Sequence, residues 1–76
     1  MKNLPALRAR QVIKALKKCG FVEDRQKGSH LILIDPTRKK RVVIPVHSGK
    51  TIKKPLLKSI IQNDAGMTIE EFMKLV

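Results

Sequence analysis

The sequence has no tryptophan, no tyrosine and only two phenylalanines, Phe21 and Phe72, both at positions the apolar pattern assigns to a core. Base stacking on aromatic platforms, a common way of holding single-stranded nucleic acid, is therefore disfavoured. A single cysteine, Cys19, excludes an internal disulfide and fits a reducing compartment. At the end of a helical pattern it reads as a small buried side chain. The longest purely apolar run is Leu31-Ile32-Leu33-Ile34, far too short to span a bilayer, and the first residues lack the apolar stretch of a signal peptide. The expectation is a cytoplasmic protein with no membrane partner. Carboxylates are scarce too: Glu23, Asp24 and Asp35 are the only ones before residue 64, which disfavours two-metal nuclease chemistry. The spacings of Cys19, His30 and His47 match no compact zinc pattern, so no metal and no cofactor are expected.

Positive charge is what the chain has in excess. Lysine and arginine number 17 against 6 aspartate and glutamate, for a net charge of +11 over 76 residues. Residues 1–63 hold 16 basic and 3 acidic side chains (+13), and residues 64–76 hold 1 and 3 (−2). So lopsided a charge points to a polyanion, of which nucleic acid is the commonest. An anionic membrane surface fits less well, because no segment joins a basic face to a broad, aromatic-rich apolar face. The length allows one domain, residues 1–76, burying only about 60% of its unfolded surface.

Hydrophobic periodicity predicts a helix over residues 8–18, with Ala9, Val12, Ile13, Leu16 and Cys19 on one face, basic side chains on the other and Gly20 as its stop. Strands follow over 21–27, 30–34 and 41–46, joined by Gly28-Ser29 and by a turn of Asp35-Pro36 followed by four successive cations. Pro45 should end the third strand or place it at a sheet edge. These strands form an antiparallel meander covered on one face by helices. The second strand does not alternate, so either Ile32 and Ile34 or Leu31 and Leu33 should leave an apolar patch on the uncovered face, a feature that often marks a partner surface. A second helix begins at Pro55, buries Leu56, Leu57, Ile60 and Ile61, and ends at Gly66. Thr68 and Glu71 form a T-x-x-E capping box for a short C-terminal helix, with Met67 and Phe72 as its hydrophobic staple.

The chemistry concentrates at Arg25-Gln26-Lys27-Gly28-Ser29-His30. Glycine permits a tight turn and close approach to a ligand, the cations attract phosphate, and histidine exchanges protons near neutral pH. RNA carries its own nucleophile, the 2′-OH. A metal-free site can therefore cleave it by general acid–base catalysis, with His30 moving protons and Arg25, Lys27, Gly28, Ser29, Lys50, Lys53 and Lys54 holding phosphates. His47 fits a phosphate contact or a loop-orienting role. From the residues alone, a structural or phosphate-contacting part suits His30 better than catalysis. Ser29 is no partner nucleophile, since neighbours on an extended chain point to opposite faces. Gly49-Lys50-Thr51 imitates a P-loop ending, but Ile44 stands where its first glycine belongs.

Arg25-Gln26-Lys27-Gly28-Ser29-His30, then Arg41-Val42-Val43-Ile44-Pro45-Val46-His47 with Gly49-Lys50 and Ile52-Lys53, then Ala65-Gly66-Met67-Thr68 with Glu70-Glu71-Phe72, together resemble the HicA family. These are the small toxins of HicA/HicB toxin–antitoxin modules. The resemblance implies an α+β, double-stranded-RNA-binding-domain-like fold: helix, three-stranded antiparallel sheet, helix, plus a short C-terminal helix. It also implies a metal-independent endoribonuclease that cleaves mRNA and arrests translation, with a HicB-like antitoxin as partner and His30, in G-S-H, as the catalytic histidine. Three places depart from the family pattern: Arg8 where a helix cap is usual, Lys54-Pro55 for a glycine-containing step, and Gln62-Asn63-Asp64, which lengthens the second helix by a residue. The alternative is a non-catalytic double-stranded RNA-binding module on the same scaffold, reading duplex shape.

Overall fold

Apolar residues three and four apart give the first helix, α1 (Ala9–Lys18), a buried stripe of Ala9, Val12, Ala15 and Leu16. The computed structural model describes residues 4–46 and 50–76. Arg8 stands at the N-cap and its side chain makes no capping bond; instead Gln11 Oε1 accepts from the Arg8 backbone N–H at 2.8 Å, the reciprocal half of a capping box. At the other end Gly20 adopts φ +114°, and the Phe21 and Gly20 N–H groups donate to the carbonyls of Leu16 and Lys17. That is a Schellman closure, which turns the chain directly into the sheet.

Three antiparallel strands follow, β2 (Val22–Lys27), β3 (His30–Asp35) and β4 (Lys40–Pro45), with β3 in the centre. Leu31 and Leu33 of β3, with Val42 and Ile44 of β4, face the helices and form one cluster with Val12, Leu16, Phe21, Leu57, Ile60, Ile61 and Phe72. Pro45 ends an edge strand, where its missing N–H costs no ladder bond. β4 begins one residue earlier than the sequence pattern suggests, because Lys39 takes the left-handed position of the turn (φ +56°) and leaves Lys40 to pair with Asp35.

The second helix differs from expectation in two ways. α2 (Lys54–Ser59) starts at Lys54, with Pro55 one position further in, and runs on into a π-helical turn, Ile60–Asp64. The Ala65 N–H donates to the Ile60 carbonyl at 2.8 Å, an i→i+5 bond that absorbs the extra residue among Gln62, Asn63 and Asp64. Leu57, Ile60 and Ile61 form the buried stripe, the wider turn brings Ala65 onto it, and Leu56, off that stripe, is 45% exposed rather than buried. A two-residue pairing of β1 (Leu7–Arg8) with β5 (Thr51–Ile52) ties the entrance of α1 to the entrance of α2. The C-terminal helix, α3 (Ile69–Met73), is capped as its sequence predicts: Thr68 Oγ1 accepts from the Glu71 N–H at 3.0 Å, and Glu71 Oε1 accepts from the Thr68 N–H at 2.9 Å. Met67 and Phe72 are both buried. Helix, three-stranded sheet, helix and short C-terminal helix form the α+β, double-stranded-RNA-binding-domain-like arrangement.

Arg38 does not join its neighbours as a free cation at a loop tip. Its Nε donates to Asp35 Oδ2 at 2.7 Å, its Nη2 to the Cys19 carbonyl at 3.3 Å, and the guanidinium lies 5.8 Å from the centroid of the Phe21 ring. A fixed cation thus closes the C-terminal end of α1, where the helix dipole favours positive charge. Asp35, only 3% exposed, also accepts from the Thr37 and Arg38 backbone N–H groups. The Arg38 hydrogen bond holds the Asp35 carboxyl below its ordinary range, and the Thr68 N–H does the same for Glu71. A carboxylate with a lowered folded-state pKa adds stability above its unfolded value, about 4, and loses it as pH falls through the folded value. The urea midpoint should accordingly drop as pH falls below about 4. Asp35→Asn should lower the midpoint at pH 7 and make the acid decline shallower; an unchanged acid limb would show that this pair does not couple folding to pH.

Candidate functional site

The turn between β2 and β3 is a two-residue hairpin loop in which Gly28 has φ +57°. A positive φ at the first loop position alone is the mark of a II′ turn, which matches the twist of the flanking strands. A Cβ at Gly28 would meet nothing within 4 Å, so glycine serves the backbone conformation, and the space beside it is open. The Gln26 side-chain amide donates to the Gly28 carbonyl at 3.0 Å, and the Val46 N–H donates to the Ser29 carbonyl at 2.6 Å, holding the turn from both sides.

His30 follows at once as the first residue of the central strand, paired with Lys27 on one side and Pro45 on the other. Because side chains alternate and Leu31 and Leu33 face the helices, His30 stands on the opposite face, exposed to solvent. The same parity puts Arg25, opposite Ile32, and Arg41, opposite Ile34, on that face. Three cations and the imidazole thus share one uncovered sheet surface. Arg25 Nε also lies 3.4 Å from Asp24 Oδ2, an exposed contact of little energetic weight.

Arg25, Lys27, Gly28, Ser29 and His30 are therefore brought together. Lys50, Lys53 and Lys54 lie elsewhere in the fold, around β5 and the start of α2, all exposed, with Lys53 at the N-cap of that helix. Lys50 is four positions after Val46, which is bonded to the turn, so it lies within about 14 Å of Val46. His47 lies outside the described residues. Arg41 was missed as a site residue, since in sequence it belongs to a run of four cations in a turn. Counting back from the inward-facing Val42 and Ile44 would have given its face. Of the basic face of α1, Lys17 pairs with Glu23 and Lys18 donates to the Leu75 carbonyl at 3.0 Å, whereas Arg10 and Lys14 are exposed. Among the described residues no three His, Cys, Asp or Glu side chains converge as a metal site would require. No described helix is long and apolar enough to cross a membrane.

The model of the family described as HicA toxin of bacterial toxin-antitoxin matches residues 9–67. The chain belongs to the HicA toxin family. Comparison with individual curated proteins gives no match. The matched span contains α1, the whole sheet, the His30 turn and α2 with its π turn, so the region described above is the part that carries the family signal. Membership makes the protein the toxin of a toxin–antitoxin module, and such a module supplies a cognate antitoxin partner.

Proposed function

We propose that this HicA toxin is a metal-independent endoribonuclease, acting on mRNA, in which His30 is the general acid/base. The observation that carries the reading is His30 itself: an exposed imidazole on the central strand, with Lys27 directly across from it and an open glycine turn before it. In the reaction the imidazole removes the 2′-OH proton and the 2′ oxygen attacks phosphorus. The bond to the 5′ oxygen breaks, and that oxygen takes a proton from solvent or from the Lys27 ammonium. The products are a 2′,3′-cyclic phosphate and a 5′-OH. Lys27 and Arg25 stabilise the charge that gathers on the non-bridging oxygens. A positioned base contributes roughly 10²- to 10⁴-fold, and preorganised cations add to it. Destruction of messages in the cytoplasm then arrests translation.

The antitoxin, in this reading, is HicB-like and covers the His30 turn with an acidic surface. The competing reading, a binding module without catalysis, is favoured by the fold alone. Purified protein mixed with single-stranded and duplex RNA in EDTA separates the two: the ribonuclease shortens RNA, whereas the module retains it uncut. Cleavage that appears only when a divalent cation is added would remove the metal-independent mechanism.

A further inference from the structure

The apolar patch expected on the uncovered sheet face is recessed. Ile32 is only 4% exposed although no described helix covers it, because Arg25 and Val43 stand beside it across the strands. Ile34, Val43 and Pro45 are half-buried, leaving Val22, at 48%, as the one broadly exposed aliphatic side chain on this face among the described residues. The registers arrange the surface in three rows: Lys27, His30, Pro45; then Arg25, Ile32, Val43; then Val22, Ile34, Arg41. Each row carries one permanent cation. The rows are two residues apart along β3 and β4, about 6.6 Å, a stride comparable with that between successive phosphates of an extended single strand; on β2 a register shift between Glu23 and Arg25 sets Val22 three residues from Arg25.

We infer that the open face of the sheet is a track for single-stranded RNA, which runs from the His30 turn past Arg25 to Arg41, with Ile32 and Val43 as an aliphatic floor beneath the bases. The inference rests on the ribonuclease reading for its direction, since a strand whose 2′-OH reaches His30 must lie over this face. The helix faces that a duplex-reading module would use are on the other side of the sheet. An apolar protein partner fits the face less well, because so little of the aliphatic surface is exposed, and a second copy would bring like charges together. The floor offers no hydrogen-bond code and no aromatic ring, so the track holds the strand with little sequence preference, mainly through its phosphates.

The test uses the full chain and a short 2′-O-methyl oligouridine, which has no free 2′-OH and so reports binding without cleavage. Arg25→Gln and Arg41→Gln should each weaken binding about tenfold and reduce the log–log salt slope by about 0.7, one phosphate's share for a single strand. The helix-face double variant Arg10→Gln, Lys14→Gln should change it less than twofold. The inference is overturned if the helix-face variant loses affinity and the sheet-face variants do not. It is equally overturned if the sheet-face variants keep full RNA affinity and lose only the capture of an acidic antitoxin. A wild-type protein that binds along this face and never cuts RNA contradicts the ribonuclease reading and leaves the track standing; cutting with no dependence on Arg41 does the reverse.

Discussion

Phe72→Ala should lower the melting temperature by more than about 12 °C. Phe72 is fully buried, packs in the central cluster and completes the staple with Met67 that fixes the entry of α3. Truncating a buried phenylalanine costs about 3–5 kcal/mol, the lost transfer energy plus the cavity left behind. A chain of 76 residues has a total stability on the order of 4–11 kcal/mol, so this one side chain supports a large share of it. In a domain of this size each kcal/mol moves the midpoint by about 4–8 °C. Thermal unfolding followed by circular dichroism measures the shift, and a fall of less than about 5 °C would mean that α3 does not contribute to the core as described. The prediction is informative because Phe72 lies outside residues 9–67, the span matched by the family. A large effect would show that α3 is integral to the fold of this toxin.

His30→Ala should reduce RNA cleavage by about 10²- to 10⁴-fold, the contribution of a positioned general acid/base, while leaving the fold intact. The side chain is exposed and lies on the face opposite the core, so its removal opens no cavity. That separation makes the variant a clean probe, and a melting temperature within a few degrees of wild type is the control. His30→Ala should also relieve the growth arrest caused by expressing the toxin. A folded variant that cleaves at the original rate would remove His30 from the chemistry and leave the imidazole a phosphate contact at most.

Much of the fold can be read directly from residue order, and the reasons are local. The stripe of α1, the glycine at its end and the T-x-x-E box before Phe72 each depend on residues within one or two turns of helix. The shared face of Arg25, Lys27 and His30 follows from strand parity across a two-residue turn, and so was accessible from the G-S-H stretch alone. What could not be read depends on long-range geometry. β1 and β5 are two residues each, too short for any period, and they pair across more than forty positions. The π turn carries the buried stripe on to Ala65, and Leu56, four residues before Ile60, looks like core by spacing although it lies off the stripe of Leu57 and Ile61. Arg38 resembles its three basic neighbours until the end of α1 meets the β3–β4 turn and places Cys19, Phe21 and Asp35 around it. Arg41, by contrast, was within reach, since its face follows by parity from Val42 and Ile44 on the same strand.

The central claim is that the imidazole of His30 drives attack by the ribose next to the broken bond. It is tested most directly by mapping a cut in a defined RNA, in EDTA, and then placing a single 2′-O-methyl group on the nucleotide 5′ to that cut. The account predicts that this one bond becomes resistant while other sites in the same strand are still cut to 2′,3′-cyclic phosphate ends. Cleavage of the modified bond at an undiminished rate would contradict it.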